Sequence, residues 1–223
     1  MSEIPKPNTG RDLARIHRII TRGIEVSIDR GRSFAREGYP GSEIAEGYAK
    51  YVQALIAVLH GHHLAEDELI FPYMRVRLPD VPYDSLESDH REMQSILDAA
   101  GAAIEALPSD EQAREALGDL VRALTDLRRL WRPHIQTEES HFTEDKLDRV
   151  MNATEHIELS KQSAQHAQAH SGPDFLVVPF LLYNLSPEER AVMVQSMPPM
   201  VTQELVPIVW KDKWAPMKPF LLD

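Results

Sequence analysis

Histidine and glutamate recur in this chain at spacings that fit metal ligation. His62 and Glu66 lie four apart in HGHHLAEDELIFP, and His134 and Glu138 lie four apart in HIQTEES. A lone histidine precedes each pair, His17 by 45 residues and His90 by 44. On a helix, residues four apart sit about 40° from each other and one turn up, so both side chains of a pair reach the same point beside the axis. Two such pairs and two lone histidines predict a site of approximate two-fold symmetry holding two metal ions. Each ion would take two imidazoles, and the two carboxylates are placed to bridge. The chain has no cysteine, which excludes thiolate metal sites, iron–sulfur clusters, cysteine nucleophiles and disulfides, so the donors must be nitrogen and oxygen.

The elements that must position these groups read as helices. Residues 11–36 place Leu13, Ile16, Ile20 and Ile24 at three- and four-residue steps, ended by Gly38, Pro40 and Gly41. A second helix is predicted over 42–77, stopped by Pro79 and Pro82, and a third over 84–107, before Pro108 and Ser109. A fourth is predicted from 110 to about 152, with a kink at Pro133. Four long amphipathic helices joined by short breaks predict an all-α, up-and-down four-helix bundle with antiparallel neighbours. His17 then lies inward between Leu13 and Ile20, and His62 and Glu66 continue the stripe of Tyr51, Leu55 and Leu59 towards Leu69 and Tyr73. His90 falls between Leu86 and Met93, and His134 and Glu138 follow Leu127 and Trp131. An unpaired imidazole or carboxylate in an apolar interior costs several kcal/mol, and bound metal is the partner that offsets this cost.

Other histidines divide by position. His63, beside His62, reads either as a seventh ligand or as a partner of Asp67. His141, three residues beyond Glu138, reads first as an outer partner of the site, with ligand or bystander as alternatives. His60 points about 160° away from His62 and reads as structural or surface. The pair His166 and His170 lies in the polar stretch TEHIELSKQSAQHAQAH, where a solvated helix face explains the spacing. A ferritin-like reading has two Glu-x-x-His motifs to draw on, Glu87 to His90 and Glu138 to His141. It places them on consecutive helices without a lone-glutamate helix between, and leaves His17 and His62 unexplained in the core.

The lone histidine of LARIHRII, the run HHLAEDELIFP, the histidine of SDHREM and the run HIQTEES together resemble the hemerythrin-like, or HHE cation-binding, domain, over about residues 10–152. The resemblance implies a four-helix bundle around a non-haem di-iron centre, oxo- or hydroxo-bridged. By position, His17 and His62 would bind one iron, His90 and His134 the other, and Glu66 and Glu138 would bridge. Oxygen carriers of this family have a second histidine four residues after the one matching His90, and here that residue is Gln94. The departure favours a more open centre, reacting with O2, H2O2 or NO in catalase-like or oxidase-like chemistry, over reversible oxygen carriage. The alternative is an iron- or oxygen-responsive sensor signalling through the C-terminal extension. Ligand type alone also allows zinc or manganese.

Composition bounds the rest. With 43% hydrophobic and 26% charged residues the chain is ordinary for a globular protein, and a net charge of −11 without any basic concentration argues against nucleic acid. The longest apolar run, FLVVPFLLYNL, is broken by Pro179 and is shorter than a membrane span, and no leader-like apolar stretch follows the first residues, so a cytoplasmic protein is expected. No glycine-rich nucleotide loop follows a strand. Residues 153–223 form an extension with a polar helix, then a segment rich in proline, methionine and tryptophan. Ser186, Pro187 and Glu189 signal the start of a short helix within it. Packing of this extension on the bundle is expected, with a gating role if it covers the end that holds the metals.

Overall fold

The computed structural model describes residues 7–107 and 113–222, and these contain helices and no strand. Helix α1 (Thr9–Glu37) begins where the Asn8 side chain accepts from the Gly10 and Arg11 amides, and ends at Gly38, whose φ of 80° suits glycine. Helix α2 (Ser42–Ala65) passes into one π-helical turn, Glu66–Ile70, and then into the short α3 (Phe71–Arg75). Helix α4 spans Tyr83–Glu105 and α5 spans Ala113–His141. α1 packs on α2 and α5, and α4 packs on the same two, so these four helices close a ring around a common interior.

Two features depart from the periodicity. The π turn inserts one extra residue, so the inward stripe after Glu66 moves to Ile70 and Met74, and Leu69 and Tyr73 are only half-buried. Pro72, which lacks an N–H and crowds the carbonyl four residues back, directly follows this wider turn. The helix predicted from 110 to about 152 ends instead at His141. Thr143 starts a separate helix, α6 (Glu144–Val150), by accepting from the Lys146 amide, which is a local cap the apolar pattern does not show. The predicted start at Asp110 and the break at Pro108 and Ser109 lie outside the described residues. Pro133 sits inside α5 without ending it.

The apolar interior is divided. A larger cluster contains Ile20, Ile24, Leu59, Met93, Leu97, Leu127 and Trp131, and a smaller one contains Leu13, Ile70, Phe71, Leu86 and Phe142. Each of the four helices crosses from one cluster to the other through polar residues: His17 after Leu13, His62 and Glu66 before Ile70, His90 after Leu86, and His134 and Glu138 before Phe142. The six polar groups thus form a layer between two dry regions.

The remaining helices wrap this assembly. α7 (Ala153–His170), fixed by a reciprocal capping box of Asn152 and Glu155, lies along α2 and the π turn. α8 (Asp174–Tyr183) packs on α2, with Phe180 beside Gly23 and Tyr51. At α9 (Pro187–Gln195) Ser186 caps as predicted, while the Glu189 carboxylate turns to Arg18. A second π-helical stretch, Val201–Val209, leads through α10 (Lys211–Trp214) to a 3-10 turn, Ala215–Phe220. Phe220 inserts among Phe34, Tyr48 and Tyr51. Phe34 lies 17 residues along α1 from His17, about 25 Å at helical rise, so the final turn docks at the end of the ring away from the polar layer and does not cover it. No helix among the described residues is long and apolar enough to cross a membrane.

A Cβ at Gly47 would meet the backbone carbonyl of Pro216. Gly47→Ala is expected to loosen the final turn, cost about 1–3 kcal/mol of stability and speed proteolysis at Lys211 and Lys213, with metal content unchanged.

Candidate metal centre

The structure brings all six predicted residues together. His17, His62, Glu66, His90, His134 and Glu138 are each 7% exposed or less. His17, His62, Glu66 and Glu138 each place one donor atom within 4.8 Å of the others, and so do Glu66, His90, His134 and Glu138. The two sets share both glutamates. His17 Nε2 lies 3.1 Å from Glu138 Oε2, and His134 Nε2 lies 3.3 Å from Glu138 Oε1. Glu66 Oε2 is 3.4 Å from Nε2 of both His62 and His90. His90 Nε2 and His134 Nε2 face each other at 3.0 Å.

These separations carry information about what the layer is built to hold. Two donors about 2.1 Å from one metal on adjacent coordination positions stand about 3 Å apart. Despite such closeness, His17 Nε2, His62 Nε2 and all four carboxylate oxygens of Glu66 and Glu138 are buried without an aligned hydrogen bond. Groups in this state aim at shared points and not at each other, and metal cations at those points satisfy them. Trp131 closes the layer on the side of the larger cluster, edge-on to His17 with ring centroids 5.5 Å apart, its Nε1 donating to Thr21 Oγ1. Phe71 closes the other side, stacked on His90 at 5.5 Å.

Of the uncertain histidines, His63 joins and His141 does not. His63 is 4% exposed, stacks on His90 with centroids 4.0 Å apart, and forms a third donor group with His90 and His134. Both its ring nitrogens are buried without a partner, so it is not the partner of Asp67. His141 lies outside the layer, because its Nδ1 turns back to its own helix, 2.8 Å from the Thr137 carbonyl, and its ring lines a surface pocket with Arg77, Lys146 and Arg149. Gln94 stays out as well, bonded to His60 at 2.8 Å and to Asp98 at 2.8 Å. Glu87 is engaged by Arg75, which removes the ferritin-like arrangement. His166 bonds Glu68 at 2.7 Å, and exposed His170 bonds its own helix.

The sequence reading missed two carboxylates, Asp89 and Glu139, and considered a third, Asp67, only as a partner of His63. Asp67 sits 2.7 Å from His90 Nδ1, Glu139 2.9 Å from His17 Nδ1, and Asp89 3.3 Å from His134 Nδ1. Each is half-buried or exposed, and Asp89 and Glu139 read in sequence as ordinary surface charges. Their signal was adjacency: each is the neighbour in sequence of a predicted donor.

The hemerythrin HHE cation-binding domain profile matches residues 10–144, more than half of the chain. The chain belongs to the hemerythrin HHE family. No match was found among curated proteins or among solved structures.

Electrostatics in this HHE site separate the donors. Burial, reinforced by Glu138 and Asp67, pushes Glu66 well above the usual carboxylate range. Burial also opposes ionisation of Glu138, but the imidazoles of His134 and His17 outweigh it and hold that carboxyl well below the range. Burial lowers His17, yet Glu138 and Glu139 raise it to a net upward shift, and Glu138 and Asp89 do the same for His134. Burial and neighbouring imidazoles push His62 and His63 well down, so they stay neutral.

Metal-free protein therefore keeps protons on His17, His134 and Glu66 to higher pH than the free side chains do, and a cation must displace them. Metal affinity is expected to rise as pH increases through and above the ordinary imidazole range, by up to tenfold per pH unit for each proton still bound, and to be lost as pH falls. Zinc-binding calorimetry in buffers of different ionisation enthalpy checks this; uptake without proton release would contradict it.

Proposed function

We propose that this HHE protein is a non-haem di-iron protein that binds and reacts with a small oxidant, O2, H2O2 or NO. The observation that carries the reading is the pair of overlapping donor sets sharing Glu66 and Glu138. His17 and His62 would hold one iron, His90 and His134 the other, within an up-and-down four-helix bundle comprising residues 10–152. Iron would supply the electron-transfer chemistry, while the chain's own groups fix donor geometry and, through Trp131 and Phe71, keep bulk water out. Nitrogen and oxygen donors also accept zinc or manganese, and the metal content and near-ultraviolet charge-transfer bands of the loaded protein decide the metal.

Redox turnover is preferred to reversible carriage because of how the gap at Gln94 is filled. His63 supplies a third imidazole on the His90 side, but nothing anchors its ring through a hydrogen bond. A ligand without an outer partner is easily displaced. Both ions would then offer an exchangeable position to a small ligand, with neither nucleic acid nor membrane as a partner and a cytoplasmic setting. Iron-loaded protein is expected to decompose peroxide, and His62→Ala to reduce the rate and iron content about tenfold or more. Equal rates in the two proteins would sink the reading.

One observation favours a second reading, a sensor. α7 rests on the turn that carries Glu66 through His166 to Glu68, and Ser171, just past its end, lies against Gly61 of α2. Under that reading, metal is expected to protect residues 153–222 from protease without peroxide turnover.

A further inference from the structure

The three outer carboxylates follow one rule around the ring of helices. Asp67, next to Glu66, reaches across to His90 on α4. Asp89, next to His90, reaches across to His134 on α5. Glu139, next to Glu138, reaches across to His17 on α1. A residue adjacent to an inward donor stands about 100° around its helix and so faces the neighbouring helix. The offset is +1 on the π turn that continues α2, −1 on α4 and +1 on α5, the alternation that reversing helix direction demands.

The fourth link would run from α1 to His62, from the position one before His17. That residue is Ile16, half-buried and packed on the larger apolar cluster, which accepts no hydrogen bond. No carboxylate contacts the Nδ1 of His62 among the described residues.

The consequence lies in tautomers. For His17, His90 and His134, a carboxylate at Nδ1 holds the proton outward and leaves the Nε2 lone pair aimed into the layer. His62 has no such group. The His90 and His134 position therefore has two backed imidazoles and the additional donor His63, whereas the His17 and His62 position has one backed imidazole of two.

We propose that Asp67, Asp89 and Glu139 are positioning residues of an incomplete relay. The break at Ile16 makes the two metal positions unequal, so that the His90 and His134 position fills first and the His17 and His62 position fills last. This inference rests on the dinuclear reading above. It concerns the order and strength of filling, which a symmetric dinuclear site would not show.

Titration of metal-free full-length protein with Co2+, followed by its visible absorption and by calorimetry, tests it. Two separable binding steps are expected. Asp67→Asn and Asp89→Asn should each weaken the tighter step by about 10–100-fold, and Glu139→Gln should weaken the looser step by a similar factor. Ile16→Asp, confirmed as folded by circular dichroism, should tighten the looser step and bring the two closer together. Two equal steps in the unaltered protein, substitutions that weaken both steps alike, or a folded Ile16→Asp with an unchanged gap would each overturn the inference and leave the dinuclear reading standing. No cobalt uptake would remove both.

Discussion

The structure turns on one constraint: ionisable donors lie in the interior where water cannot reach them and where they do not satisfy one another. Four carboxylate oxygens and several imidazole nitrogens lack aligned partners at separations close to 3 Å. Leaving even one such group uncompensated costs several kcal/mol, comparable with the net stability of a whole domain. Cations held by the two donor sets at this layer would bring the interior into balance. The metal-free layer follows the same need: the imidazoles of His134 and His17 favour the ionised form of Glu138, while burial and Glu138 favour the protonated form of Glu66.

The placement of this layer between two apolar clusters gives it rigidity. Trp131 from the larger cluster is in ring contact with His17, His62 and His134, and Phe71 from the smaller cluster is in ring contact with His90. Packed apolar neighbours fix rotamers, so His17, His62, Glu66 and Glu138 keep their aim although these donor atoms have no aligned hydrogen bond. The π turn contributes to this arrangement. It leaves Glu66 four residues from His62, on the same face, and shifts everything beyond by one residue, so that Ile70, Phe71 and Met74 close the smaller cluster.

Much of this was legible in the sequence, and the illegible parts share a cause. Regular periodicity exposed the four helices and the inward direction of His17, His62, Glu66, His90, His134 and Glu138, because each continues an apolar stripe. It failed where geometry stops being regular. Leu69 and Tyr73 were read as inward because a constant 3.6-residue period was carried through the π turn, and the fourth helix was carried past His141 because the cap at Thr143 is local chemistry without apolar signal. His141 was favoured as an outer partner from its distance to Glu138, yet adjacent Glu139 takes such a role. A one-residue offset looks wrong when a single helix is considered and right when the facing helix is considered.

That last point sets how this HHE site is specified. Donors are encoded along each helix, by four-residue steps, whereas their orientation is encoded between helices, by neighbours one residue away. Orientation therefore exists only once the helices are packed in the correct order and direction, since Asp67, Asp89 and Glu139 each serve an imidazole from another helix. A site built this way couples tertiary assembly to donor tautomer: separated helices would carry every donor residue and still present no defined lone pairs. The break at Ile16 is a difference of one side chain, and it falls where an apolar residue extends the larger cluster. Packing and ligand orientation compete for that position, and in this chain packing has it.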